Sequence, residues 1–186
     1  MNELQEENNM NELQELASLI KQRNQIDSLI SVIINRPAII GHTGEYIASR
    51  IFGIRLAESA SHKGIDGYFT DGSLQGRSVN IKWYTKQTGL LDINPDCLPD
   101  YFLVMTGGKG SAVSSKGKTL PWCIKHVYLF DAAELVNELA ARGVGIGIAT
   151  SVKKDMWEQA EIYPVQRNRL FEVNEEMARQ LRLFDF

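Results

Sequence analysis

Apolar residues near the start of the chain recur every three or four positions. Leu13, Leu16, Ile20, Ile30 and Ile34 share one side of a helical projection, and Pro37 supplies a stop. The spacing predicts a helix over residues 1–35, frayed before Met10, with Arg23 and Asp27 interrupting its apolar stripe. The hexapeptide MNELQE occurs at 1–6 and again at 10–15, which is too short for an architectural repeat. Residues 43–52 read as a second helix, with Thr43 as N-cap and Gly53 as its end. The pattern then turns strand-like at 65–70 and 77–84, on either side of the turn DGSLQG, so a hairpin is expected there. The near-continuous apolar run at 101–105 suits a buried central strand, and 122–130 follows it after a loop rich in Gly, Ser and Lys.

DAAELVNELAARG, at 131–143, carries Asp131 and Glu134 in capping-box spacing and Gly143 at its end, and so predicts a helix. Weaker signals predict a short strand at 146–149, a helical turn at 154–160, a strand at 170–173 and a last helix from Glu175, capped by Asn174. This order of helices and strands implies an α/β fold with a mixed sheet. It divides into an N-terminal helical extension, 1–36, and one domain, 37–186.

Composition narrows the class. With 44% hydrophobic and 23% charged residues the chain is expected to fold around a core. No apolar run approaches the roughly 18 residues that cross a bilayer, and MNELQEENN is acidic where a signal peptide would be basic, so a soluble cytoplasmic protein is expected. Cys97, Cys123, His42, His62 and His126 form no zinc spacing, and the two thiols read as inert. The net charge of −3 is uneven: 6 acids against 2 bases in 1–35 (−4), 7 against 11 in 36–130 (+4), and 10 against 7 in 131–186 (−3). A basic middle is compatible with a local phosphate-binding surface, though bulk charge draws no nucleic acid.

Several literal motifs fail on spacing. GKT at 117–119 has Ala112 where a phosphate loop needs glycine, and Pro121 follows where a helix should begin. GVGIG at 143–147 has Ile148 in place of the third glycine of a dinucleotide fingerprint. Pro95-Asp96 and Pro99-Asp100 lack a following acid-x-lysine strand. A dispersed set survives: Glu45 on the second helix, Asp66 at the start of the hairpin, and Asn80-Ile81-Lys82 on its second strand. Alternation puts Asn80 and Lys82 on one strand face and Ile81 on the other. Two carboxylates, an amide oxygen and a backbone carbonyl make a hard oxygen site suited to Mg²⁺. Lys82 is then placed to orient a water or to stabilise charge on a phosphate.

GEYIASRIFGIRL, GIDGYF and VNIKWY resemble the PD-(D/E)xK nuclease superfamily, in its variant with a glutamate on the first helix. PWCIKHVYLFDAAEL and RGVGIGIATSVKKDMWEQAEIYP resemble an uncharacterised bacterial family assigned to the same fold. The resemblance covers about residues 41–165 and implies a restriction-endonuclease-like mixed β-sheet flanked by helices. It further implies a DNA endonuclease of restriction, defence or repair, dependent on Mg²⁺ or Mn²⁺, with Glu45, Asp66 and Asn80 as metal ligands and Lys82 as catalytic lysine. Asn80 stands where the family usually has Glu or Asp. Losing one unit charge about 4 Å from another is an effect of about 4 kcal/mol at an effective dielectric of 20, so the alternative is an inactive nuclease-fold module that binds nucleic acid or protein.

Around that centre Lys86, Lys109, Lys116 and Lys118 are expected to follow a DNA backbone. Trp83, Tyr84 and Trp122 read as core aromatics or as base-stacking groups. The apolar stripe of the N-terminal helix suggests a homodimer. Gln180-Leu181-Arg182-Leu183-Phe184 resembles the bacterial sliding-clamp-binding pentapeptide; the same residues, with Met177, Leu181 and Phe184 in line, also fit the buried stripe of a last helix.

Overall fold

A computed structural model describes residues 3–58, 64–110 and 119–186, with side chains from Met10 onward. The chain divides into two units, Met1–Thr43 and Gly44–Phe186. The first unit is dominated by helix α1, Glu3–Ile34, which continues before Met10 where fraying was expected. Helix α2, Ile40–Ile51, starts three residues before the predicted onset, because Thr43 N already donates to Ile39 O at 3.0 Å. Thr43 is therefore inside the helix, and its buried hydroxyl has no hydrogen-bond partner among the described residues.

The second unit is α/β with a mixed sheet. Its strands are β1 (Ile54–Leu56), β2 (Gly67–Phe69), β3 (Ser78–Tyr84), β5 (Tyr101–Thr106), β6 (His126–Asp131) and β8 (Glu161–Tyr163), in the order β1-β2-β3-β5-β6-β8. β3 and β5 run parallel and every other neighbouring pair is antiparallel. Two short strands, β4 (Leu90–Leu91) and β7 (Thr150–Ser151), pair separately. β5 is buried at every position, as a strand covered on both faces must be.

One face of the sheet is closed by helix α3 (Ala132–Ala141) and helix α4 (Lys154–Ala160). Leu135, Leu139, Met156 and Trp157 from these helices join Phe102, Val104, Tyr128 and Phe130 in one cluster, with Tyr84 packed against it. Trp157 stands edge-on to Tyr128 and Phe130, with ring centroids 4.7 and 5.0 Å away. The opposite face meets α2. A Cβ on Gly44 would lie 2.9 Å from Trp83 Cβ, so only glycine lets the helix backbone come this close to β3. The indole of Trp83 donates from Nε1 to Cys123 O at 3.1 Å.

Two predicted strands are absent. At 146–149 Thr150 Oγ1 bonds both N and O of Gly147, Ala149 has φ of 58°, and Ile148 stands exposed at the tip of a turn. At 170–173 the ladder partners are replaced by side chains: Leu170 N donates to Asn168 Oδ1 at 2.8 Å, Val173 N to Gln166 Oε1 at 3.1 Å, and Gln166 Nε2 to Phe171 O at 2.9 Å. Helix caps agree better with the pattern, since Asp131 Oδ1 accepts from Glu134 N and Asn174 Oδ1 from Met177 N. Helix α5 (Glu175–Arg182) buries Leu181 completely, and Phe184 O accepts from Ile124 N at 2.9 Å. The pentapeptide at 180–184 is thus packed as the end of a helix. Among the described residues no helix is long and apolar enough to cross a membrane.

Candidate functional site

β2 and β3 pair only at Gly67–Val79 and Tyr68–Ser78 before they diverge. The register is not continued past Gly67: Val79, the partner of Gly67, also takes the bond from Asp66, so Asp66 and Gly67 both oppose one residue of β3, as in a bulge. Asp66 N donates to Val79 O at 2.9 Å, and Asp66 Oδ2 accepts from Ile81 N at 2.6 Å. The carboxylate therefore serves as the ladder partner that the end of β2 no longer provides. Beyond it no described strand pairs with Ile81 to Tyr84 on the β2 side, which leaves a notch in the sheet.

Asn80 and Lys82 alternate with Ile81, as the sequence predicts. Lys82 lies in register with Val104 and Asn80 with Phe102, both members of the cluster under α3 and α4. Asn80 and Lys82 consequently share one face, and Asp66 meets β3 at its edge through Ile81 N. Asn80 is only 6% exposed, and its Oδ1 has no hydrogen-bond partner among the described residues. Lys82 is half-buried. Glu45 is half-buried on α2, one residue after the Gly44 contact with Trp83 and Met105, so its helix crosses the other face of β3. The helix that carries Glu45 thus lies on the face of β3 opposite to Asn80 and Lys82.

Tyr84 ends the row. Its hydroxyl accepts from Asp92 N at 3.2 Å and lies 3.4 Å from Asp92 Oδ2. Burial above all, with the Asp92 charge adding to it, pushes its pKa up to about 12, so it stays a neutral donor. Asp100, half of a literal Pro-Asp pair, ties β3 to β5 instead: its Oδ2 accepts from Ser78 N at 2.8 Å and from Ser78 Oγ at 2.7 Å. Burial acts to raise the Asp100 pKa, but Ser78 and the Arg77 guanidinium outweigh it and hold the carboxyl below its ordinary value.

Parallel pairing brings the C-terminal ends of β3 and β5 together, and with them two of the expected DNA-contacting lysines. Gln87 bridges to Lys109, and a Cβ on Gly110 would fall 2.6 Å from Lys86 Cε. Lys109 is engaged as well, with Nζ 3.3 Å from Glu161 Oε1. Lys116 and Lys118 lie outside the described residues.

Glu161 itself escaped sequence reasoning. It is 2% exposed, and it receives His126 Nδ1 at 2.8 Å and Arg167 Nε at 3.4 Å in addition to Lys109. A glutamate directly before the apolar pair Ile162-Tyr163 was the available signal, because a carboxylate in a buried strand demands cationic partners. Among the described residues no three His, Cys, Asp or Glu side chains are grouped to hold a metal ion. No protein-family model matches this chain, and no curated protein matches it.

Proposed function

We propose that this protein is a divalent-metal-dependent nuclease that hydrolyses DNA phosphodiester bonds in the cytoplasm, in restriction, defence or repair, on a restriction-endonuclease-like core. The observation that carries the reading is Asn80 Oδ1, buried without a partner among the described residues, on the face that holds Lys82 and next to Ile81, whose N bonds Asp66. An unsatisfied buried acceptor costs about 1–3 kcal/mol, and coordination of a cation removes that penalty. Asp66 brings a carboxylate to the same stretch of β3 through its bond to Ile81 N. Asp66 and Asn80 would supply hard oxygens of the kind Mg²⁺ or Mn²⁺ prefers, and Glu45, on the helix over the other face of β3, would have to reach the same ion past the strand edge. Such an ion stabilises charge on phosphate oxygens and lowers the pKa of water.

Lys82 does the remaining polar work, holding positive charge at the notch where a scissile phosphate would lie and orienting the attacking water. Lys86, Lys109, Lys116 and Lys118 hold the DNA backbone beside it. The second reading, an inactive module of the same fold that binds nucleic acid or protein, is favoured by the neutral side chain of Asn80. Cleavage of plasmid and single-stranded DNA in Mg²⁺ or Mn²⁺ separates the two: metal-dependent cleavage supports the nuclease, and DNA binding without cleavage selects the inactive module.

A further inference from the structure

The exposed helix α1 carries an apolar seam whose polar interruption is self-complementary in one orientation. Leu16, Leu19, Arg23, Ile26, Ile30 and Ile33 follow one another at alternating steps of three and four, the spacing of a coiled-coil seam. Leu16 is 52% exposed and Ile33 66%, with Leu19 and Ile26 between these values. Ile30, in the same row, is half-buried, and the exposed apolar side chains around it signal an interaction surface. Ile34 is buried, which sets it apart from this seam. Arg23 lies at the middle and pairs with Asp27 of its own helix across one turn, Nε to Oδ2 3.5 Å.

We propose that α1 pairs with α1 of a second copy of this chain, antiparallel, about a two-fold axis between Asn24 and Gln25. In that register Leu16 meets Ile33 of the second copy, Leu19 meets its Ile30, and Arg23 meets its Ile26. Every seam residue except Ile26 thereby finds an apolar counterpart; Ile26 meets Arg23, whose guanidinium reaches past it to the neighbouring Asp27. Two Arg23 and two Asp27 side chains then alternate in one ring of charge. The parallel, in-register alternative sets Arg23 against Arg23 at the centre of the seam, where like charges oppose association. Charge complementarity thus selects both the occupant, an identical helix, and its direction. The 18 residues from Leu16 to Ile33 span about 27 Å, the length of the six layers that these six residues form.

Light scattering on the full chain at micromolar concentration is expected to give twice the 20.9 kDa chain mass. Ile26→Asp, on an exposed helix position, is expected to give monomer with unchanged circular dichroism. Arg23→Asp alone and Asp27→Arg alone are expected to weaken the dimer roughly tenfold, by setting like charges against each other twice; the double exchange restores it. Orientation is read by oxidation: chains with Leu16→Cys mixed with chains with Ile33→Cys form a mixed disulfide, and Leu16→Cys chains alone do not cross-link beyond the wild-type background. A monomeric wild type, a dimer that survives Ile26→Asp, or efficient cross-linking of Leu16→Cys to itself overturns the proposal.

Discussion

Replacing Asn80 with aspartate changes the charge of the candidate site with almost no change of shape. Asn80 is 6% exposed, and the residues on either side of it, Val79 and Ile81, both bond Asp66. Two carboxylates about 5 Å apart repel by roughly 3 kcal/mol at an effective dielectric of 20. In a chain of this length that loss lowers Tm by roughly 6–12 °C. A divalent cation inverts the effect, because both carboxylates then attract it, and a ligand in hundredfold excess over its Kd returns about 2.7 kcal/mol. Asn80→Asp is therefore expected to melt well below wild type in a chelator and to regain most of the difference in excess Mg²⁺ or Mn²⁺. Calorimetry should show tighter Mn²⁺ binding by the variant than by wild type. A loss of stability that neither ion repairs, with no heat of Mn²⁺ binding, would refute the reasoning, since the added charge would then meet repulsion and no cation.

Two further outcomes follow from charged groups around the sheet. Burial chiefly holds the His126 imidazole below its ordinary value, against the Glu161 hydrogen bond and with help from Lys109. The unfolded imidazole titrates near pH 6.5, so below that pH the unfolded chain binds the proton first; this contribution to stability is full above about pH 6.5 and is lost as pH falls through the folded value. Urea midpoints should drop over that window and His126→Gln should flatten the drop, whereas a wild-type midpoint that rises on acidification contradicts the assignment. For DNA binding, about three to five neutralised phosphates imply a slope of log K against log salt of roughly −3 to −4.5. Alanine at Lys109, Lys116 and Lys118 should make it shallower, with Lys116 and Lys118 carrying most of the change because Lys109 already faces Glu161; an unchanged slope moves the interaction elsewhere.

Local chemistry made some elements legible and left others hidden. Asp131 and Asn174 announce α3 and α5 because an N-cap acts over three residues, and the strict alternation of Asn80, Ile81 and Lys82 survives in β3 because a strand has only two faces. β1 and β8, at three residues each, are too short for periodicity and exist through their neighbours in the sheet. The apolar stretches at 146–149 and 170–173 mislead because Thr150, Gln166 and Asn168 satisfy backbone groups that a strand would have paired. At the site, alternation reveals that Asn80 and Lys82 share a face, but the bond from Ile81 N to Asp66 is a product of where β2 ends. The Lys109–Glu161 pair spans 52 positions, and no local pattern encodes it.

The most direct test of the nuclease reading is nicking of supercoiled plasmid by purified wild type, Asp66→Ala and Lys82→Ala in Mg²⁺, in Mn²⁺ and in chelator. Neither substituted side chain belongs to the apolar cluster beneath α3 and α4, so circular dichroism should report folded variants. The account predicts nicking by wild type only in the presence of a divalent ion, and its loss in both variants. Intact plasmid with wild type in either ion, or nicking undiminished in either folded variant, contradicts it.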